Sequence, residues 1–257
     1  MKIVFHERYF DSDYAHDPAA APGRLDAIIE VLSGKEDRYE FIRPEPASEQ
    51  DILRAHTSSH VRNIRNDLHL YELAALAAGG AILAADRAFR GQPSFAVIRP
   101  PGHHASADSC WGFCYFNNMS VSLLNLFAGG KIKSAFVLDF DLHTGDGNIN
   151  ILTGRRDGFR VNILNPMAGD RAEYLKEVDD WMGSLSDIDI FAASAGFDQG
   201  VDDWGGLLRP EDYTVLGRLM KEHAERLCGG RRYALLEGGY NHAALGMNTL
   251  SFLEGFR

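Results

Sequence analysis

The feature that most restricts the fold of this chain is a series of short apolar segments separated by longer helix-like ones. Each apolar segment is rich in β-branched or aromatic residues, as strands are. The predicted strands are Lys2–Phe5, Phe95–Arg99, Ser134–Phe140, Phe159–Leu164, Asp187–Ser194 and Arg232–Leu236. Continuously apolar strands that alternate with helices favour an α/β fold, in which a mostly parallel sheet is covered by helices on both faces.

Three segments are predicted to be helical. Leu70–Phe89 is rich in alanine, and Glu211–Leu227 has apolar residues at helical spacing after Pro210, which a first helical turn tolerates. His242–Phe256 is the third segment. Because ligands of parallel sheets bind beyond the carboxyl ends of the strands, functional residues should directly follow the predicted strands.

Polar motifs do follow four of these strands. The motifs are PPGHHA with His103 and His104, DFDLHTGDGN with Asp139, Asp141, His143 and Asp146, AGFDQG with Asp198, and EGGYN with Tyr240. We expect them to meet at one edge of the sheet.

The spacing of Asp141 and His143 indicates a metal site. Residues two apart in an extended segment project to the same side, and Asp198 from another strand end would complete a set of three ligands. Two carboxylates and one imidazole suit Zn²⁺ or Fe²⁺ with an open position for water, which is the catalytic pattern. A lone Asp-x-His pair more often binds only loop backbone, so the other motifs decide in favour of a metal.

The adjacent imidazoles of His103 and His104 are useful together only if their neighbours tune them differently. Asp139 and Asp146 flank the metal motif, and each could accept the Nδ1 proton of one histidine. One histidine would then be a general base and the other an acid or electrostatic partner.

Tyr240 follows two glycines that allow a sharp turn, so its phenol could approach the site and stabilise an oxyanion. Gly112 and Phe113 are candidates for the pocket wall.

Composition narrows the class of protein. A net charge of −10 over 257 residues disfavours direct binding to nucleic acid. Three cysteines are too few for a disulfide framework and fit a reducing compartment. Neither a signal peptide nor a membrane span is predicted. We therefore expect a cytoplasmic protein without membrane partners, folded as one domain over residues 1–257.

The motifs together resemble those of the histone deacetylase superfamily, which includes acetylpolyamine amidohydrolases and acetoin-utilisation proteins. The matching segments are GRLDAI, RPPGHHA, GFCYFNN, DFDLHTGDGN, SAGFD, DDWGGL and LEGGYN. The resemblance runs from the first strand to the C-terminal helix. It implies a single-domain, three-layer arginase-deacetylase fold and a zinc-dependent deacetylase that hydrolyses N-acetyl amides.

The resemblance also implies a role for each candidate residue. The implied metal ligands are Asp141, His143 and Asp198. His104, held by Asp146, would be the main general base, and His103, held by Asp139, would be its partner. The implied substrate contacts are Tyr240 on the scissile carbonyl, Gly112 on the amide and Phe113 along the acyl-lysine channel.

Two cofactor questions stay open at this point. The ligand set accepts Fe²⁺ as well as Zn²⁺. Family members often bind K⁺ beside the turn over residues 139–143, but Asn162 stands in place of the usual serine ligand.

The sequence departs from many family members in two short segments. Residues 60–69 are short and offer no aspartate that aligns with the one that binds the substrate backbone in many members, and residues 164–174 lack the loop that supplies a second aromatic wall. Thr144 replaces a second histidine. These departures predict a wider, shallower site, and the absence of an inserted dimerisation loop favours a monomer.

The expected partner is an acetylated amine, which could be a lysine side chain, a polyamine or a small metabolite. One alternative is a two-metal ureohydrolase on the same fold that recruits Asp202 and Asp203, although GFCYFNN and LEGGYN do not belong to that pattern. The other is a non-catalytic protein that binds acylated ligands, which the complete set of expected catalytic residues disfavours.

Overall fold

Seven short strands form one sheet in the computed structural model of the chain, which describes residues 1–257. The strands are β1 (Lys2–Val4), β2 (Glu40–Ile42), β3 (Ser94–Ala96), β4 (Ser134–Asp139), β5 (Arg160–Leu164), β6 (Ile190–Ala195) and β7 (Arg232–Leu236). Their order across the sheet is β2-β1-β3-β7-β6-β4-β5, and all neighbours are parallel. The predicted α/β fold is confirmed, with a sheet that is parallel throughout.

All six predicted strands are present, with ends that differ by a few residues. The unpredicted strand is β2, which has three residues and lies at the edge of the sheet. Its side chains are exposed or only partly buried, so it lacks the apolar character that marks the other strands.

Nine α-helices surround the sheet, together with short 3₁₀ turns at Glu7–Phe10 and Pro18–Ala20. The helices are α1 (Asp26–Leu32), α2 (Glu49–Ile52), α3 (Ser58–Arg65), α4 (Leu68–Phe89), α5 (Asn118–Ala128), α6 (Asp146–Leu152), α7 (Arg171–Gly183), α8 (Pro210–Cys228) and α9 (His242–Phe256). The three predicted helices correspond to α4, α8 and α9. Pro210 begins α8, and Asp67 caps α4 by accepting a hydrogen bond from the Leu70 N–H.

The helices cover both faces of the sheet. Neighbouring residues of β7 point to opposite faces, and each contacts a different helix. The Tyr233 hydroxyl is 2.8 Å from the Ser122 hydroxyl in α5, whereas Arg232 Nε donates to the Phe256 carbonyl in α9 at 2.7 Å. The sheet is therefore the middle of three layers.

The interior is one hydrophobic cluster of 69 residues that extends from Ile3 to Phe256. Helix α4 belongs to it. By length and composition alone α4 could cross a membrane, with a mean hydropathy of 1.5, but 67% of that stretch is buried inside the protein. Its apolar character is explained by packing against β1, β3, β7 and α5.

The strand order explains how distant motifs meet. The segments after β3, β4, β6 and β7 carry the four polar motifs, and these strands are neighbours in the order β3-β7-β6-β4. The connection from β3 to β4 passes over two positions that later strands fill. Four loops far apart in sequence therefore leave the same edge of the sheet side by side.

Candidate active site

Two carboxylates and one imidazole converge beyond the ends of β4 and β6. Asp141 and His143 follow β4, and Asp198 follows β6. One ligand atom from each residue lies within 4.8 Å of the other two. His143 Nδ1 is 3.3 Å from Asp141 Oδ1 and 3.3 Å from Asp198 Oδ2. The structure thus brings together the three predicted metal ligands, which we call the ligand triad.

Backbone hydrogen bonds hold both carboxylates of the ligand triad. The Gly238 N–H donates to Asp141 Oδ2 at 2.8 Å, and the Leu142 N–H donates to Asp198 Oδ1 at 3.0 Å. A Cβ atom on Gly238 would lie 2.5 Å from Asp141 Oδ2 and 2.8 Å from Asp198 Oδ2, so only glycine fits there. Asp198 Oδ2 is buried without a backbone donor and faces His143 Nδ1 at 3.3 Å, where a cation would bind both atoms.

The electrostatics of the ligand triad also favour a cation. Burial and the nearby Asp141 raise the pKa of Asp198. Burial alone would raise the pKa of Asp141 too, but His103 and His143 outweigh it and lower that pKa. Hydrogen bonds to the two carboxylates raise the pKa of His143 to about 10. At neutral pH the triad therefore holds a proton on His143, and a divalent cation must displace this proton to bind.

Each histidine of the adjacent pair after β3 faces its own carboxylate. His103 Nδ1 is 3.3 Å from Asp139 Oδ2, and His104 Nδ1 is 2.7 Å from Asp146 Oδ1. The two imidazole centroids are 4.0 Å apart. This pairing is the one expected from the sequence, and it favours Nδ1 as the protonated nitrogen of each ring.

The pKa shifts of the two histidines are opposite. Burial would lower the pKa of His103, but Asp141 and Asp139 outweigh burial and hold that pKa well above its usual value. Burial and the charge of His103 lower the pKa of His104 to about 4. These shifts make His104 the histidine that accepts a proton at neutral pH and favour the protonated form of His103. A cation beside Asp141 would offset part of the carboxylate charge that His103 feels.

A pocket of about 320 Å³ leads to these groups. Its walls are His104, Trp111, Gly112, Phe113, His143, Trp204 and Tyr240. The predicted pocket residues Gly112 and Phe113 both line it, and both have left-handed φ angles, of 59° and 66°. This conformation is uncommon for a bulky residue such as phenylalanine, and such residues concentrate at functional sites.

Tyr240 reaches the pocket from the loop after β7. Its ring stacks on Trp204 with centroids 4.1 Å apart and meets Phe113 edge-on at 5.9 Å. Asp203 Oδ2 accepts hydrogen bonds from the backbone N–H groups of Tyr240 and Asn241, both at 2.7 Å. Burial raises the pKa of Tyr240, so the phenol keeps its proton at neutral pH and can donate it in a hydrogen bond.

Trp111, Trp204 and Arg24 shape the site without having been predicted to do so. Each lies in or beside a segment that matches the family motifs, and two of the chain's three tryptophans stand there, which was the available signal. Trp204 also corrects one expectation. Residues 164–174 are short, as expected, but the pocket still has a second aromatic wall. Trp204 supplies it by lining the pocket and stacking on Tyr240.

A second cluster of polar groups, formed by His103, Cys114 and Glu237, lies behind the histidine pair. Glu237 Oε2 accepts hydrogen bonds from the N–H groups of Gly102 at 2.7 Å and His103 at 3.2 Å, and Oε1 accepts one from the Ser194 hydroxyl at 3.2 Å. Because these bonds occupy the carboxylate, Glu237 supports the backbone of the histidine pair.

Three other acidic or polar positions considered from the sequence serve other purposes. Asn162 pairs with Phe136 in the sheet and is exposed, so it does not reach the turn over residues 139–143. Asp203 holds the loop after β7, and Asp202 is exposed, so neither joins the ligand triad. Asp139 Oδ1 is buried in that turn without a hydrogen-bond partner.

Comparison with known proteins identifies the family. A model described as the histone deacetylase domain matches residues 18–165. A probable deacetylase of Archaeoglobus fulgidus is 31% identical over 292 residues, which cover 93% of this chain and 81% of that protein. An acetylpolyamine amidohydrolase of Burkholderia pseudomallei is 30% identical over 224 residues, which cover 73% of this chain and 63% of that protein. The chain belongs to the histone deacetylase family.

A solved structure agrees at the level of the fold. The crystal structure of the HDA15 HD domain matches with a TM-score of 0.83 at 24% identity, covering 99% of this chain and 89% of that chain. The predicted arginase-deacetylase fold is therefore confirmed.

Proposed function

We propose that this protein is a deacetylase that hydrolyses the amide bond of an N-acetylated amine with the help of a bound divalent cation. The observation that carries the proposal is that the ligand triad, two histidine–aspartate pairs and Tyr240 meet at one pocket. Membership of the histone deacetylase family supports this class of reaction. The names of the two relatives, a probable deacetylase and an acetylpolyamine amidohydrolase, support an acetylated amine as substrate.

The ligand triad fits a divalent cation. Asp198 Oδ2 is buried without a backbone donor, and two carboxylates face one imidazole nitrogen. This donor set suits Zn²⁺, with Fe²⁺ as the alternative. When bound, the cation polarises the substrate carbonyl and lowers the pKa of a water molecule to about 7.

His104 is the general base of the proposed reaction. It is neutral at pH 7, and its Nδ1–H is held by Asp146, so Nε2 is the nitrogen that accepts the proton of the attacking water. General base catalysis of this kind contributes about 10²–10⁴-fold to the rate.

His103 is the partner of His104, and its two nearby carboxylates favour its protonated form. Its Nε2 lies 3.8 Å from Asp141 Oδ1, and its Nδ1–H is held by Asp139. The positive charge stabilises the negative charge that develops on the substrate oxygen. The histidine pair then returns a proton to the nitrogen of the leaving amine as the amide C–N bond breaks.

Tyr240 and the two pocket residues orient the substrate. The Tyr240 hydroxyl donates a hydrogen bond to the carbonyl oxygen, and a donor of this kind is worth about 10²–10³-fold in kcat. Gly112 contacts the amide, and Phe113 flanks the alkyl chain of the amine. The net charge of −10 favours an amine-bearing, cationic substrate over an acidic one.

Acetate release tests the proposal. Protein reconstituted with Zn²⁺ or Fe²⁺ is incubated with an acetyl-lysine peptide and, separately, with an acetylpolyamine. We expect release of acetate that disappears in His104→Ala and persists in His69→Ala, whose imidazole pairs with Asp13 at the exposed surface. No release from either substrate by protein that has bound one cation would contradict the deacetylase proposal. The ratio of the two rates identifies the preferred amine.

A further inference from the structure

Trp111 is a large apolar side chain that is 55% exposed and yet held by two specific contacts. Its indole Nε1–H donates to Asp146 Oδ2 at 2.9 Å. Its ring lies against the His104 imidazole, with centroids 3.8 Å apart and planes inclined by 32°. A single exposed residue therefore touches both members of one histidine–aspartate pair.

The two oxygens of Asp146 are divided between these partners. Oδ1 faces His104 Nδ1 at 2.7 Å, and Oδ2 accepts the hydrogen bond of Trp111. The Asp146 side chain is 41% exposed, so without Trp111 its second oxygen would bind water and the carboxylate could rotate. The indole hydrogen bond therefore fixes the plane of the carboxylate that orients His104.

The backbone after Trp111 is shaped to place the indole over His104. Gly112 and Phe113 are consecutive left-handed residues, which turn the chain back toward the histidine pair. A Cβ atom on Gly112 would lie 2.3 Å from His104 Cδ2, so the chain passes directly against the imidazole edge. With the His103 ring 4.0 Å away, His104 is packed between an imidazole and an indole.

We propose that Trp111 is a positioning residue for the general base, acting through Asp146 and His104 rather than through contact with the substrate. This inference rests on the proposed function. The indole N–H holds Asp146 so that its Oδ1 stays aligned with His104 Nδ1, and the indole face keeps the imidazole from tilting. Both effects act on the step in which His104 takes a proton, so they change kcat rather than KM.

Two variants separate the hydrogen bond from the stacking. Trp111→Phe keeps an aromatic face and removes the donor, and Trp111→Ala removes both. For Trp111→Phe we expect kcat to fall about 3–10-fold with KM within about 2-fold of the native value, as for the loss of one hydrogen bond of ordinary strength at a partly exposed site. In Trp111→Ala, kcat should fall further than in Trp111→Phe. Trp181→Phe, remote from the pocket and packed on Phe136, is the control and should keep native kinetics.

The kinetic result can contradict the proposal in two ways. Native kcat in Trp111→Phe would remove the role of the hydrogen bond. A raised KM with native kcat in both variants would make Trp111 a substrate contact instead.

A measurement without substrate or metal tests the same contact. In the metal-free, ¹⁵N-labelled full chain, the indole N–H signal of Trp111 is identified by its loss in Trp111→Phe. Asp146→Ala should shift this signal and accelerate its exchange with solvent, whereas Asp157→Ala, at an exposed carboxylate paired with Arg155, should leave it unchanged. An unaltered signal in Asp146→Ala would overturn the positioning role. Failure of the native enzyme to release acetate would instead overturn the proposed function, so the two failures are distinguishable.

Discussion

The buried guanidinium of Arg24 donates from Nε to the Gly239 carbonyl oxygen at 2.8 Å, which links the start of the chain to the loop that carries Tyr240. The same guanidinium also donates to the Glu237 carbonyl, and its Cζ lies 5.5 Å from the centroid of the Tyr240 ring. Asp203 holds that loop from the other side. The position of the phenol is thus set by two residues remote from it in sequence.

Arg24→Lys should lower both stability and turnover. The planar guanidinium donates to two carbonyl oxygens at once, and the single ammonium of lysine cannot replace both hydrogen bonds. Leaving a buried carbonyl without its donor costs about 1–3 kcal/mol. Thermal unfolding and kcat should be measured together. Arg232→Lys is the matched control, because Arg232 is also buried and donates to the Phe256 and Gly230 carbonyls, at 2.7 and 3.0 Å, at the amino end of β7 and away from the pocket. We expect the two variants to lose similar stability. Arg232→Lys should keep the native kcat, and Arg24→Lys should have a lower kcat. Equal kcat in both variants would contradict it.

Tyr240→Phe should lower kcat about 10²–10³-fold, because it removes one donor to the developing oxyanion and little else. The ring contacts with Trp204 and Phe113 survive, so the pocket keeps its shape. Steady-state rates and bound metal are the measurements, and metal content should match that of the native protein. Tyr39→Phe, which loses a hydrogen bond to Glu254 at 2.7 Å, should retain native turnover. Native turnover in Tyr240→Phe would remove the proposed role of the phenol.

Local sequence pattern predicted six of the seven strands and three of the nine α-helices. The strands β4 and β6 are buried at every position, so they read as continuous apolar runs, and helix α9 has the bounds that the sequence predicted. The edge strand β2 has no apolar pattern, because its side chains face solvent, and its existence depends on pairing with β1. No rule that uses only local sequence could find it.

The candidate site also contains residues that could be predicted from local sequence and residues that could not. The ligand triad and the histidine–aspartate pairs could be predicted, because strand ends meet at one edge of a parallel sheet. Contacts that depend on three-dimensional packing could not. Trp111 reaches Asp146 across 35 residues, and Arg24 reaches Gly239 across 215, and nothing in the local sequence around either residue encodes its partner.

Gly112→Ala should damage the site more than a left-handed glycine elsewhere. At φ 59° an alanine is strained, and its Cβ would also lie 2.3 Å from His104 Cδ2, so the imidazole must move. The left-handed conformation alone costs about 1–2 kcal/mol. Gly130→Ala is matched in φ, at 68°, but has open space around the new Cβ. Gly130→Ala should lose only the left-handed cost in thermal unfolding and Gly112→Ala at least that much, and only Gly112→Ala should lose at least about tenfold in kcat, since a 1 Å misplacement can cost 10²-fold. Comparable kcat in the two variants would show that His104 tolerates the displacement.

Metal affinity should rise with pH, because the ligand triad must release a proton to bind a cation. The pKa of His143 is raised to about 10 by its hydrogen bonds to Asp141 and Asp198, so at pH 7 the imidazole is protonated and the proton competes with the metal. While pH stays below that pKa, each unit of increase should strengthen binding by about tenfold, since one proton leaves for each cation bound. The raised pKa of Asp198 adds a second, smaller dependence in the same direction at lower pH.

Calorimetric titration with Zn²⁺ between pH 6 and pH 8, in buffers of different ionisation enthalpy, measures both the affinity and the number of protons released. His69→Ala should keep the slope, because His69 pairs with Asp13 at the surface, and His143→Ala should abolish tight binding. An affinity that does not change with pH would mean that His143 is already neutral in the metal-free protein. In that case no proton on the imidazole would compete with the cation, and the predicted pH dependence of metal binding would be contradicted.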